Sequence, residues 1–414
     1  LGTMAHVVML ANIGLFSASE LNSLLKELRR IYENIGKGKY IIEEEAEDIH
    51  SQIEKDLTVS LGDLGKKIHT GRSRNDQVLV DLRLFMRHEI KRIVLQVMEV
   101  LNDMITRSEE SKEILMPGYS HLQVAMPSSF GLWFGCFAES LSDDISLLLD
   151  AYRMVNRNPL GSAAGYGTSV PVDRKMTTRL LGFEDMNYNS LYVQMSRYKV
   201  EKMVLNALAS VSSTLGKLAS DATMFMSQNF EFLRLPDEFT TGSSIMPHKN
   251  NPDLFEVIRA KCNRILGFPN EVNLITANLT SGYFRDFQIT KEIIIPVFGE
   301  VSSCLEMARL AIKNLIVNDG ILEEERYKFI FCVEEVNRRV LKGVSFRDAY
   351  REVADELTTD GYKPDISVHH THEGSIGNLC NKDILQRVEK LLAGFNFSET
   401  EKAIEELISR SPDF

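Results

Sequence analysis

Between Gln77 and Met116 the chain runs without a single glycine or proline, and apolar residues recur at Ile90, Ile93/Val94, Val97, Leu101 and Met104/Ile105. That is the 3.6-residue spacing of a helix with one face turned to a core. At about 1.5 Å per residue the helix would be on the order of 60 Å long, whereas an ordinary globular helix has about 11–12 residues. Pro117-Gly118 ends it. Further helical stretches follow: Ser128 to Arg157, stopped by Asn158-Pro159, and Leu191 to Phe230, striped by Val200, Met203/Val204, Ala207/Leu208, Val211, Leu215 and Leu218. A fourth opens at Asn251-Pro252, where proline suits a first helical turn, and runs to Leu266. A fifth spans Asp286 to Leu315, with Pro296 as the expected kink.

Alternating strand patterns are scarce. Helices this long carry apolar stripes that one chain cannot cover, which predicts an all-α fold: a long central helix bundle shared in a homotetramer. Two smaller, mostly helical domains flank it, giving a division into 1–70, 71–318 and 319–414.

Composition narrows the function. A formal net charge of −11 argues against nucleic acid as a partner, since such a surface is basic. No apolar run reaches the roughly 20 residues of a membrane span, no signal-peptide pattern opens the chain, and the five scattered cysteines read as buried thiols in a reducing compartment. The expectation is a cytoplasmic protein without a membrane partner.

Polar segments interrupt the helices. "HTGRSRNDQ" (69–77) puts Arg72, Ser73, Arg74 and Asn75 at a helix N-terminus, where free N–H groups favour anions. Either the two guanidinium groups clamp a carboxylate, or Ser73 and Asp76 are caps and the arginines are solvated. "PGYSHLQVAMP" (117–127) carries Ser120 and His121, the latter read as either structural or catalytic. "GSSIMPHKNNPDLFE" (242–256) combines Ser243, Ser244, Lys249, Asn251 and Glu256 without the surroundings of a serine-hydrolase nucleophile. "SGYFRDFQITKE" (281–292) offers Tyr283, Gln288 and Lys291, which hold a polar substrate end or decorate an exposed helix start. "GSAAGYG" (161–167) reads as a mobile or tightly turned loop. His50, His69, His121 and His248 lack metal-ligand spacing, and His369-His370-x-His372 is too tight for zinc, so no metal and no cofactor is expected.

Together these segments resemble the fumarase/aspartase superfamily, whose signature loop reads Gly-Ser-Ser-x-Met-Pro-x-Lys-x-Asn with a Glu seven residues after the Lys. "HTGRSRNDQV" narrows the resemblance to the argininosuccinate lyase family and its lens-crystallin relatives. "GYSHLQVAMP", "NPLGSAAGYGTSVPVDR", "SGYFRDFQITKE" and "LKGVSFRDAY" fall in that family's order along essentially the whole chain. The resemblance implies elimination of arginine from argininosuccinate with release of fumarate. Ser243 then matches the base that removes the Cβ proton, and His121, paired with Glu256, matches a group assigned base or acid roles. Lys249 and Asn251 match holders of the substrate carboxylate, Ser73, Arg74, Asn75 and Ser120 match further carboxylate-side contacts, and Tyr283, Gln288 and Lys291 match contacts to the arginine end. It further implies composite active sites in a homotetramer.

The chain departs from the family at Ser120, usually Thr, at His248, usually Gln, and at Thr290, usually acidic. "LGTMAHVVMLANIGLFS" resembles a stretch that in the family follows some tens of residues contributing Ser and Asp to the arginine side, and those contacts are expected to be missing here. Two other readings stay open: another fumarate-releasing lyase such as adenylosuccinate lyase or aspartase, or a catalytically silent, crystallin-like or truncated form.

The chemistry suits these residue types. Removing a proton beside a carboxylate creates an aci-carboxylate with two negative charges, which needs preorganised positive potential. Lys249, Asn251 and the helix N-terminus near Pro252 can supply it. A serine becomes a base only among backbone N–H donors, a cation and excluded water, which a loop that closes over substrate provides. The departing guanidinium nitrogen needs a proton donor, and His121 with Glu256 is the candidate.

Overall fold

The computed structural model describes residues 1–358, 362–363, 365–395 and 397–410. Four helices open the chain: α1 (Gly2–Asn12), α2 (Ala18–Gly36), α3 (Ile49–Leu61) and the short α4 (Asp63–Lys66). α1 is buried continuously from Met4 to Leu10 and so forms the centre of this part rather than its surface. Ser17 caps α2 in a capping box with Glu20, and Leu21, Leu24, Leu25, Leu28 and Ile31 close on α1 together with Leu57 and Ile68. Leu160, Leu181, Phe183 and Leu407 join the same cluster from later in the chain.

The long helix is α5 (Arg74–Glu110), 37 residues and thus about 56 Å. Every residue of its expected stripe, from Ile90 to Ile105, is buried. It begins three residues before Gln77 because Ser73 and Asp76 form a capping box: Ser73 N donates to Asp76 Oδ1 (2.9 Å) and Asn75 N donates to Ser73 Oγ (3.2 Å). It ends at Glu110 rather than Met116. Leu115–Ser120 (β1) pairs antiparallel with Gln123–Ser129 (β2), from Leu115↔Ser129 to Ser120↔Gln123, with an irregularity between Pro117 and Tyr119. The segment 117–127, expected as a loop, is therefore largely a hairpin. Pro117, Gly118 and Pro127 interrupt the strand pattern, and the two-residue turn is His121-Leu122 rather than the Asn-Gly that marks such turns.

The bundle continues with α6 (Phe130–Val155), the short α7 (Arg174–Leu180), α8 (Ser190–Phe225), α9 (Asp253–Ile265), α10 (Phe268–Ile275) and α11 (Thr290–Asn314). Ser129 caps α6 and Asn189 caps α8. Pro252 stands at the N-cap of α9, and Pro296 lies inside α11. α5 packs along α6 and α11, α6 along α8, and α8 along α9, α10 and α11. One apolar core runs through all of these except α7, whose Met176 and Leu180 pack on the N-terminal cluster. Met203, expected in the buried stripe of α8, is instead 39% exposed.

Four helices complete the chain: α12 (Cys332–Leu341), α13 (Phe346–Leu357), α14 (Asn381–Ala393) and α15 (Phe397–Ser409). Val336, Ala349 and Val353 form a small separate cluster between α12 and α13, while α14 returns to α5 and α6. Other strands are two-residue ladders, such as Thr241–Gly242 with Asn250–Asn251, so the fold is mostly helical. No helix among the described residues is long and apolar enough to cross a membrane. The cysteine expectation needs correction: Cys262 and Cys304 are buried, but Cys332 and Cys380 are half-buried and Cys136 is exposed, on the outward face of α6 with Glu139.

Candidate active site

The start of α5, the turn before α11 and the start of α3 meet at a cleft of about 670 Å³. Arg74, Asn75, Tyr283, Gln288 and Lys291 line it together with Asp48, His50 and Asp81. Five residues singled out from two distant stretches of sequence thus share one cavity.

The two arginines of the 69–77 segment do not form a clamp. Arg72 is buried and spends its guanidinium on Thr3 Oγ1 (3.0 Å) and the Ile68 carbonyl (2.8 Å), so it is neither an anion ligand nor solvated. Arg74 pairs through Nε with Asp48 Oδ2 (2.8 Å) and donates to Ser51 Oγ (2.8 Å) and Gln77 Oε1 (2.9 Å), tying α3 to α5 at the cleft wall. Ser73 serves as the helix cap, as the second reading of that segment held. His50 Nε2 lies 3.3 Å from Asp81 Oδ2. Burial, with Arg74 nearby, pushes its imidazole down to about 4, so His50 is neutral at neutral pH.

Asp76 does more than cap. Its Oδ2 also accepts from Gly161 N (3.0 Å) and Ala163 N (2.9 Å), pinning the 161–167 segment onto the N-terminus of α5. Ser162 O accepts from Gly165 N and Gly167 N, and Gly161, Ala163, Gly165 and Gly167 all have positive φ. This is the tightly turned loop of the two alternatives. Burial pushes the Asp76 carboxyl up to about 6 against the opposing pull of its three backbone N–H donors.

At the other wall, Gln288 Nε2 donates to Tyr283 Oη (2.6 Å). Behind Tyr283 lies a charge cluster that sequence reasoning missed. Arg197 of α8 is fully buried, with its Cζ 5.3 Å from the Tyr283 ring centroid and 5.4 Å from that of Phe287. Glu201, one turn along α8, and Arg83 of α5 are buried beside it, and Arg83 donates to Ser196 Oγ (2.9 Å). Burial pushes Glu201 up to about 7, although Arg83 and Arg197 pull it down. Burial also lowers Lys291, with the Arg197 charge adding to it and Asp48 opposing. One signal was present in the sequence: Arg197 and Glu201 fall in register with Val193, Val200, Val204 and Leu208, on the apolar stripe itself.

The remaining candidates stand elsewhere in the chain. Ser120 and His121 are exposed at the hairpin tip beside Leu122 (72% exposed). The 242–251 stretch forms a loop closed by the rung Gly242↔Asn250, which Ser243 and Lys249 flank. Lys249 is exposed and Asn251 half-buried. Ser243 Oγ accepts from two backbone amides, Met246 N (3.1 Å) and Ile245 N (3.3 Å). That arrangement favours negative charge on the oxygen. Glu256 is exposed one turn into α9, and its ion partner is Arg259 at 4.0 Å. No hydrogen bond or ion pair among the described residues joins His121 to Glu256, and neither the hairpin tip nor the 242–251 loop lines the cleft at Tyr283.

A family model described as Lyase matches residues 2–267. An argininosuccinate lyase of Phocaeicola vulgatus is 56% identical over 410 residues, covering 99% of this chain and 92% of its own length. One of Bacteroides thetaiotaomicron is 55% identical over 410 residues with the same coverage. Among solved structures, an EDDS lyase in complex with formate superposes with a TM-score of 0.81 at 20% identity, over 98% of this chain and 88% of that one. A β-carboxy-cis,cis-muconate cycloisomerase from Acinetobacter calcoaceticus gives 0.71 at 15% identity, over 98% and 92%. At such identities these two structures speak for the fold alone.

Proposed function

The chain belongs to the argininosuccinate lyase family, and on that premise we infer that it is a carbon–nitrogen lyase that eliminates arginine from argininosuccinate and releases fumarate. The observation that carries the reading is the cleft that gathers Arg74, Asn75, Tyr283, Gln288 and Lys291. It holds charges of both signs, Arg74 and Lys291 against Asp48 and Asp81, which suits the zwitterionic end of an arginine better than a purely anionic ligand. Tyr283, Gln288 and Lys291 hold that end. Asn75, Ser73 and Ser120 contact the carboxylates, and Lys249 and Asn251 hold the one on which charge develops.

Ser243 removes the Cβ proton. The Met246 and Ile245 amides directed at its oxygen support this, because they stabilise the alkoxide that a basic serine must become. His121, assisted by Glu256, serves the departing nitrogen. Neither the hairpin tip nor the 242–251 loop lines the Tyr283 cleft, and apolar side chains remain exposed on the long helices, among them Leu95 (51%), Leu147 (47%), Ile295 (47%) and Leu310 (46%). Both facts support a homotetramer in which a hairpin tip, a 242–251 loop and a Tyr283 cleft come from different subunits. The parts 1–70, 71–318 and 319–414 then act as cleft wall, shared bundle and flanking unit, in a reducing cytoplasm.

The test is release of fumarate from argininosuccinate, followed by ultraviolet absorbance, with light scattering on the same sample. Turnover by a stable tetramer is the expected result. No fumarate from a folded tetramer would leave the silent, crystallin-like reading, and a stable monomer at micromolar concentration would end the composite site.

A further inference from the structure

The buried cluster behind Tyr283 has no place among the proton movers. Arg197 is completely buried, yet among the described residues its Nε and both Nη atoms meet no hydrogen-bond partner in good geometry, and neither carboxylate oxygen of Glu201 does. Removing such charges from water is costly unless they are paired and hydrogen-bonded. Apolar side chains of similar volume are often equally or more stabilising at such sites, so stability does not explain the cluster. What an apolar residue cannot supply at this position is attraction to an aromatic face and a positive field at the floor of the cleft.

Both are present. The Arg197 guanidinium lies against both rings, Tyr283 and Phe287, whose centroids are 6.1 Å apart at an interplanar angle of 53°. A cation–π contact strengthens when it is shielded from water, and here it favours one ring orientation. In that orientation the Tyr283 hydroxyl meets Gln288 at 2.6 Å. The same charge reaches Lys291. Arg197 therefore acts on Tyr283 and Lys291 from behind the cleft wall, while the Glu201 charge, shared with Arg83, attracts it from the other side.

We propose that Arg197, buried beside Glu201 and against the Tyr283 and Phe287 rings, is a positioning residue that sets selectivity for the arginine end of the ligand by fixing the Tyr283–Gln288 pair. The proposal rests on the assignment of this cleft to the arginine end. It predicts an asymmetry between the two products, since the carboxylate-side groups make no contact with the cluster.

Calorimetric titration of the intact protein with L-arginine and, separately, with fumarate tests it. In the paired variant Arg197→Met/Glu201→Gln, which removes both charges together, arginine affinity falls about tenfold or more and fumarate affinity stays within twofold. Arg197→Lys keeps the charge but not the planar fork. It gives an intermediate loss for arginine, and it serves as the readout where the paired variant does not fold. In a Tyr283→Ala background, removing Arg197 and Glu201 costs arginine nothing further, because the ring they orient is gone. Arginine affinity within twofold of the unsubstituted protein, equal losses for both products, or additive losses in the Tyr283→Ala background would each overturn the proposal. An unsubstituted protein that binds neither arginine nor argininosuccinate would instead overturn the assignment of the cleft.

Discussion

The two halves of the candidate site are built in opposite ways. The Tyr283 cleft is braced within one chain: Arg74 is locked to Asp48, Ser51 and Gln77, Tyr283 to Gln288, and a buried charge cluster stands behind the wall. The groups proposed to move protons, by contrast, sit on an exposed hairpin tip and on a loop closed by a ladder of two rungs. Recognition needs fixed donors and acceptors before substrate arrives, whereas a serine base needs water expelled as substrate arrives. A rigid wall suits the first requirement, and segments that complete their surroundings on assembly and closure suit the second.

The largest effect should come from the exposed half. Ser243→Ala is expected to lower turnover by about 10³–10⁴-fold, the upper range for a general base, with calorimetric arginine affinity unchanged; near-normal turnover would remove Ser243 from proton transfer. His121→Asn should cost roughly a hundredfold or more. Subunits carrying the two substitutions separately, unfolded and reassembled together, should regain measurable activity if each site draws both groups from different subunits. An inactive mixture would indicate a site built within one chain.

The fixed half should show its character in stability and binding. Asp76, pushed up to about 6 from 3.8 by burial, holds its proton more tightly in the folded chain than in the unfolded one. Its contribution is therefore fully present below about pH 4 and is lost as pH rises through about 6. The difference in unfolding free energy between the unsubstituted protein and Asp76→Asn should change in that direction by up to about 3 kcal/mol. A flat difference across this range would mean that the three amides outweigh burial. The smallest effect is expected for Tyr283→Phe, which keeps the ring over Arg197 but removes one hydrogen bond. KM should rise by about twofold to tenfold with kcat nearly unchanged, and a large fall in kcat would bring Tyr283 into the chemical step.

Most of the helical architecture could be read from the sequence, because an apolar stripe repeated over ten turns has no other use. The buried run from Ile90 to Ile105 and the starts of α6 and α8 lie close to where periodicity and caps put them. The hairpin escaped, since Pro117, Gly118 and Pro127 break up its strands and its turn is His121-Leu122 instead of Asn-Gly. The site was legible as motifs but not as geometry. Nothing in "GRSRND" distinguishes the buried Arg72 from the cleft-lining Arg74 two residues later. Arg197 and Glu201 were visible as charges on an apolar face, and their meaning came only with the rings of Tyr283 and Phe287, which lie more than eighty residues away in sequence.

The hairpin tip has a consequence for anyone selecting hardier versions of this protein. His121 and Leu122 join β1 to β2 with φ of 54° and 57°, as a two-residue turn requires, but in a region where residues with side chains are strained and Asn-Gly is preferred. Selection for heat resistance alone, or replacement by the statistically favoured turn, would rewrite this dipeptide early and gain on the order of 1 kcal/mol or more for each relieved residue. The same change would delete the imidazole. If His121 has its proposed role, libraries screened by melting temperature should therefore enrich inactive chains at these two positions, whereas libraries screened by growth that depends on making the product should keep the less comfortable turn.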